Sequence, residues 1–192
     1  MDLRILIPVK PLAEGKTRLA PVLDANARRA LCEHFFRRSL ALATGLAPTI
    51  VITRDPQVAA TADGAQVIAE PPGADLNSAL DTGRHAAREA DALLVLPIDL
   101  PHLSRATLAR MCHHRRRITI VPDRHEDGTN LLYLPKAAIA DFRFAFGPGS
   151  LAAHRAEGVR LGIQVNVLRL VDAAFDVDHP EDYAELAPEL AR

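Results

Sequence analysis

The sequence predicts an α/β chain, with a mostly parallel, mixed sheet and helices on both faces. Short apolar runs alternate with longer periodic segments four times before Val121, and parallel neighbours need such crossover connections. Beyond Val121 the rhythm breaks into Pro135, a short helical stretch and a Gly-Pro-Gly loop, which suggests a mixed sheet with an antiparallel edge. The size agrees: 192 residues at 48% hydrophobic content suit one domain, 1–192, with a full core.

The elements follow in order. Leu3 to Val9 reads as the first strand, and Asp24 caps a helix running to Leu42. Thr49 to Thr53 is a strand, Asp55-Pro56 opens a short helix, and Gln66 to Ala69 is the next strand. Asp75 begins a helix to Ala90, Ala92 to Leu96 is a strand, and Ser104 caps a helix to Arg115. Ile118 to Val121, Leu131 to Leu134 and Val165 to Leu170 are the remaining strands, with a helix opening at Leu151 and a terminal one after Pro180.

Composition removes several function classes. A net charge of -1 gives no bulk attraction to nucleic acid or anionic membrane, and 4% aromatics with no Trp leave no base-stacking platform. No apolar run reaches the roughly 18–20 residues of a membrane span, and charges interrupt the opening MDLRILIPVK, unlike a signal peptide. A soluble, cytoplasmic protein acting on small molecules is expected. Cys32 and Cys112 lack metal or disulfide spacing.

In such sheets ligands sit beyond the carboxyl ends of the strands, so the loops after Val9, Thr53, Leu96, Val121 and Leu134 should form a working rim. Pro8-Val9-Lys10 leads into Glu14-Gly15-Lys16-Thr17-Arg18, a basic glycine loop that either binds phosphate or is a solvated turn. It is not a P-loop, because Lys10 stands where that motif requires Gly. Leu96-Pro97-Ile98-Asp99-Leu100-Pro101 ends an apolar strand in one carboxylate, which reads as a metal ligand, since Ser104 is the better helix cap. Asp176-Val177-Asp178 puts two carboxylates on one extended face, suited to Mg²⁺ beside Asp99 or to capping the last helix.

Asp127-Gly128-Thr129-Asn130 and Phe146-Gly147-Pro148-Gly149-Ser150 form a fourth pair of loops. The second opens a helix, where free N–H groups and the positive dipole end suit a phosphate or carboxylate. Cys112-His113-His114 cannot converge on one ion, because consecutive helical residues point about 100° apart. Arg115-Arg116-Arg117 offsets a helix dipole, and His154 reads as packed or surface histidine. No Ser lies in a G-x-S-x-G elbow.

Taken together, IPVKPLAEGKTRLA, NSAL, LPIDLP, DGTN, FGPGS and DVDHPED resemble the guanylyltransferases of coenzyme F420 biosynthesis, which act on 2-phospho-L-lactate, phosphoenolpyruvate or 3-phospho-D-glycerate. The resemblance runs from residue 5 to about 182 and implies a three-layer nucleotidyltransferase fold of the glycosyltransferase-A-like kind. It also implies GTP as donor and a phosphorylated three-carbon acid as acceptor. By position it assigns Pro8, Val9, Lys10, Gly15, Lys16 and Arg18 to the GTP phosphates, and Asn77, Ala79 and Leu80 to guanine. Asp99, Asp176 and Asp178 fall to Mg²⁺, and Thr129, Gly147, Gly149 and Ser150 to the acceptor, with Lys16, Arg18 and Asp99 the candidate catalytic residues. One departure stands out: His125-Glu126-Asp127 places two acids beside the acceptor loop.

The expected reaction releases pyrophosphate and leaves a labile product for hand-over to a downstream lactyl-transfer enzyme; an edge strand leaves room for a homodimer. Two other readings share these motifs: a nucleotidyltransferase using CTP or another NTP on a sugar phosphate or cofactor precursor, and a non-catalytic nucleotide sensor.

Overall fold

The computed structural model describes residues 1–113 and 115–190, so His114, part of the Cys112-His113-His114 run, lies outside the described residues. Among the described residues seven strands make one sheet: β1 (Leu3–Pro8), β2 (Thr49–Thr53), β3 (Ala65–Ala69), β4 (Ala92–Val95), β5 (Ile118–Pro122), β6 (Thr129–Pro135) and β7 (Val165–Val167), in spatial order β3-β2-β1-β4-β6-β5-β7. The four predicted caps are all made. Asp24 accepts from the Ala27 N–H at the start of α1 (Ala25–Thr44), and Asp55 from Gln57 at α2 (Pro56–Ala60). Asp75 accepts from Ser78 at α3 (Leu76–Ala86), and Ser104 from Thr107 at α4 (Arg105–Met111). Both α3 and α4 end four residues before the positions the sequence suggests.

The helices divide between the faces. On one side α1, α2 and α4 cover Ile5, Ile7, Val51, Leu94 and Leu131. On the other, α3, α5 (Lys136–Ile139) and α6 (Ser150–Arg160) cover Leu6, Ile50, Leu93, Ile120 and Leu132. A smaller cluster joins Leu19 and Phe35 to Phe175 and Val177, which follow α7 (Val171–Ala174), and to Leu186 of α8 (Pro180–Leu190). Among the described residues no helix is long and apolar enough to cross a membrane.

Two expectations are corrected. The antiparallel strand is β6, and it lies inside the sheet between β4 and β5 rather than at an edge. A connection as short as 123–128 can only reverse the chain, so β6 must pair antiparallel with β5. Asp123 fixes that connection by accepting from the N–H groups of His125 (3.1 Å), Asp127 (3.0 Å) and Gly128 (2.9 Å). Reversal also moves the rim: Pro135 pairs with Ala92 at the start of β4, so the loop after Leu134 lies at the far end of the sheet. Thr129, at the beginning of β6, takes its place on the rim.

A bulge sits there. Val121 pairs with Leu131, but Pro122 pairs with Thr129, which leaves Asn130 as an extra residue on β6. Plain alternation would put Thr129 on the same face as Leu131. The extra residue sends Asn130 toward Ala173, whose carbonyl accepts from its amide at 3.0 Å, and turns Thr129 to the opposite face, against His154 of α6.

Candidate active site

The basic loop after β1 folds as two short 3-10 turns, Leu12–Glu14 and Thr17–Leu19. Gly15 between them has no unusual φ; its absence of Cβ is needed because one would stand 2.5 Å from Cys32 Sγ on α1. The left-handed conformation falls on Lys16 instead, at φ 52°. That twist aims Lys16 inward. Its Nζ donates to Asp99 Oδ2 at 2.6 Å and to Asp178 Oδ1 at 2.7 Å, with only 8% of the side chain exposed. Burial would lower the ammonium pKa, yet the two carboxylates outweigh it and hold Lys16 well above the usual lysine range. Arg18 stays exposed and reaches Asp178 Oδ2 at 3.4 Å.

Asp99 and Asp178 are therefore on the same side of the sheet. Their segments are tied further by the Val177 N–H, which donates to the Asp99 carbonyl at 3.2 Å. Asp176 lies close by and is partly buried. Burial pushes its carboxyl up to about 6, the charges of Asp99 and Asp178 add to the rise, and a 3.4 Å contact from Asn130 Nδ2 opposes it. Among the described residues no three potential ligands are gathered closely enough to hold a metal ion as they stand, because Lys16 fills the space between two of the three aspartates. The donor set nonetheless suits a hard cation: the buried ammonium meets two of the three carboxylates, and Asp176 has no cationic partner among the described residues.

A cavity of about 430 Å³ opens beside this cluster, with Pro8, Lys10, Gly15, Lys16, Arg18 and Asp99 on one side and Leu76, Leu80 and Phe146 on the other. Val9 and Ala79 border a smaller recess that shares Pro8, Lys10 and Leu76 with it. Glu70, buried at the end of β3 and paired with Arg54, lines that recess too, and nothing in the sequence marks it. The side-chain amide of Asn77 is engaged within the fold. Its Oδ1 accepts from the Phe146 N–H at 2.8 Å and its Nδ2 donates to the Phe146 carbonyl at 3.2 Å, so both ends clamp the far wall of the cavity.

The loop Gly147–Ser150 also corrects its reading. Gly147 and Gly149 take φ values of 132° and 70°, which favour glycine. The N–H groups of Gly149, Ser150 and Leu151 at the start of α6 are engaged, however. Gly149 donates to Asp127 Oδ2 at 2.9 Å, Ser150 to the Gly147 carbonyl at 3.1 Å and Leu151 to the Asp127 carbonyl at 3.0 Å. Asp127 thus folds over the helix end and satisfies two of its N–H groups internally, as an acid at that position should. Glu126, the other unexpected acid, is turned away to Arg169. What remains is hydroxyl: Ser150 Oγ is buried with no partner among the described residues, and Thr129 Oγ1 meets only His154.

The arrangement gathers cations and carboxylates around one cleft at the carboxyl ends of β1 and β4, while Thr129 and Ser150 are buried behind its lining. Comparison with known proteins agrees with it. The family described as guanylyl transferase CofC like matches residues 3–188. A phosphoenolpyruvate guanylyltransferase of Rubrobacter xylanophilus is 38% identical over 97% of this chain and 94% of its own, and one of Roseiflexus castenholzii is 39% identical over 97% and 89%. In fold the chain resembles a nucleotidyl transferase from Methanothermobacter (TM-score 0.68, 16% identity, covering 100% of this chain and 98% of that one). It also resembles CMP:2-keto-3-deoxy-manno-octonic acid synthetase complexed with CTP (TM-score 0.66, 17% identity, 100% and 99%). A sheet of this order with the cleft at its carboxyl edge, matched along nearly its whole length, places the chain in the guanylyl transferase CofC-like family of nucleotidyltransferase enzymes.

Proposed function

We propose that the enzyme transfers GMP from GTP to a phosphorylated three-carbon acid, with release of pyrophosphate, as a step of coenzyme F420 biosynthesis. Phosphoenolpyruvate is the first acceptor to test, since it is the one named in the relatives' descriptions. The observation that carries the reading is the buried Lys16 ammonium held between Asp99 and Asp178 at the mouth of a 430 Å³ cleft. A cleft of that size admits a nucleotide, and a cation with two exchangeable carboxylate partners can transfer its hydrogen bonds to entering phosphates.

In the reaction an acceptor phosphate oxygen attacks the α-phosphorus of GTP in line. The new P–O bond forms as the bond to the bridging α–β oxygen breaks, and that electron pair leaves with pyrophosphate. No general base is needed, because a phosphate monoester with its second pKa near 6 is already mostly dianionic at neutral pH. The difficulty is repulsion between two polyanions, which Lys16 and Arg18 reduce on the donor side. Asp99, Asp176 and Asp178 would hold Mg²⁺, which when bound draws charge from the phosphates. Thr129 and Ser150 orient the acceptor through their hydroxyls, with Gly147 and Gly149 shaping the loop.

Pyrophosphate release with GTP, Mg²⁺ and each of phosphoenolpyruvate, 2-phospho-L-lactate and 3-phospho-D-glycerate, with the lactyl-transfer enzyme present to trap a labile product, is expected to give turnover. CTP and ATP serve as donor controls. Nucleotide binding with no turnover on any acid would overturn the proposal in favour of a sensor. A narrower expectation concerns Ser150→Ala: losing one hydroxyl donor to an anion should raise the acceptor KM about 10-fold and leave the GTP KM within about 2-fold. Equal rises in both would remove Ser150 from the acceptor side.

A further inference from the structure

His154 is fully buried on α6, one turn beyond Ser150 and on the same helix face. Its two ring nitrogens have different partners. Nε2 lies 3.0 Å from the backbone N–H of Ala145, and a backbone N–H can only donate, so Nε2 must be the unprotonated acceptor. The ring proton is then on Nδ1, which lies 3.0 Å from Thr129 Oγ1. Burial pushes the imidazole pKa down to about 4, against a smaller opposing pull from Glu157, so the ring is neutral and this tautomer persists at neutral pH.

The consequence falls on Thr129. Its oxygen accepts from Nδ1–H, and its own proton has no acceptor among the described residues. Ser150 Oγ, on the same side of the sheet, is likewise unpartnered. An unassisted threonine hydroxyl is indifferent, able to donate or accept. One that already accepts from a neutral imidazole is biased to donate, and donating is what an anionic ligand requires. The same ring anchors Ala145, one residue before Phe146, whose ring packs edge-on at 4.9 Å from His154. The bulge at Asn130 is what makes the contact possible, since it turns Thr129 to the α6 face.

We propose that His154 is a positioning residue for the acceptor: by donating from Nδ1 to Thr129 Oγ1 it sets the Thr129 hydroxyl as a donor to the anionic group of the phospho-acid. This rests on the acceptor reading given above and deepens it. Two substitutions separate the ring's two roles, because the Asn amide overlies Nδ1 and the Gln amide overlies Nε2. His154→Gln keeps an acceptor for Ala145 but loses the donor to Thr129, and is expected to raise the acceptor KM about 10-fold with the GTP KM within about 2-fold. His154→Asn restores the donor and should stay within about 3-fold of wild type for the acceptor. Thr129→Val combined with His154→Gln should be no worse than Thr129→Val alone, since the histidine acts through that hydroxyl.

Additive effects in that pair, equal acceptor KM rises in Gln and Asn, or a parallel rise in the GTP KM would overturn the assignment and leave His154 as core. Should the variants fold poorly, the wild-type protein answers by ¹⁵N-detected NMR of its histidines. A buried neutral ring protonated on Nδ1, shifting on addition of the phospho-acid but not of GTP, supports the assignment. An Nε2-protonated ring, or no shift, overturns it. Wild-type enzyme with no turnover on any phospho-acid is a separate outcome: it defeats the proposed function, whatever tautomer the ring shows.

Discussion

Replacing Lys16 by Met is expected to lower kcat/KM for GTP by about 10²–10³-fold, the loss that follows removal of one preorganised charge donor from a transition state. The isosteric choice keeps the aliphatic stem that fills the space beneath the loop and removes only the ammonium. Its effect on the resting protein has two parts. Asp99 and Asp178 lose the cation between them, and breaking a buried pair costs about 3–5 kcal/mol in full burial. Here the Asp99 and Asp178 side chains remain 24% and 39% exposed, so water recovers part of the loss and a destabilisation of about 1–3 kcal/mol is expected. The two readouts are thermal unfolding without nucleotide and steady-state kinetics with it. A variant that loses stability but keeps wild-type kcat/KM would confine Lys16 to a structural ion pair and sink its role at the phosphates.

The sheet was legible because its signals are local. Asp24, Asp55, Asp75 and Ser104 each cap a helix through an N–H two or three residues away, and alternation between these helices and apolar strands leaves few topologies. The position of β6 was not legible. A reversing loop of six residues looks the same whether the strand that follows is added at an edge or inserted beside β4, and only the register with Leu93 and Leu94 decides. The bulge is hidden as well, since Thr129 and Asn130 read as loop residues ahead of a strand at Leu131, and only the pairing of Pro122 with Thr129 rather than Asn130 reveals it.

The site divides along similar lines. Lys16 stands out in a basic glycine loop after the first strand, Asp99 as a lone acid at the end of an apolar strand, and Asp178 as one of two carboxylates on an extended face. Their mutual pairing spans 83 and 162 residues, and no sequence spacing encodes such a contact. The Gly147–Ser150 loop offers free N–H groups on sequence alone, because glycine density and a helix start are visible there. That Asp127, 22 residues earlier, supplies the carboxylate for Gly149 is visible only in the fold. An isolated histidine at helical spacing, as His154 is, reads as packed or surface. It is packed, but with both nitrogens committed, and that commitment could not be read from its spacing to Ser150.

Asp99→Asn tests whether the carboxylate cluster serves a metal or only Lys16. The substitution preserves shape and removes one negative charge, while Asp178 remains to hold the ammonium at 2.7 Å. If Asp99 were merely a partner of Lys16, losing one of two would be mild: a partly exposed ion pair contributes about 1 kcal/mol or less, and kcat would fall by less than about 10-fold. As a ligand to Mg²⁺ its loss should be far greater, because a neutral amide is a poor substitute for carboxylate toward a hard cation and the charge withdrawn from the phosphates is worth several kcal/mol. The expected result is a kcat lower by about 10³-fold with the GTP KM changed by less than about 5-fold. A binding readout independent of turnover accompanies it: wild-type protein should gain thermal stability on addition of Mg²⁺ with GTP beyond that given by GTP alone, and the variant should not. Wild-type turnover and an unaltered Mg²⁺ response in Asp99→Asn would take the metal away from Asp99. The half-buried acid that the sequence sets between two prolines would then serve only to hold Lys16 in place.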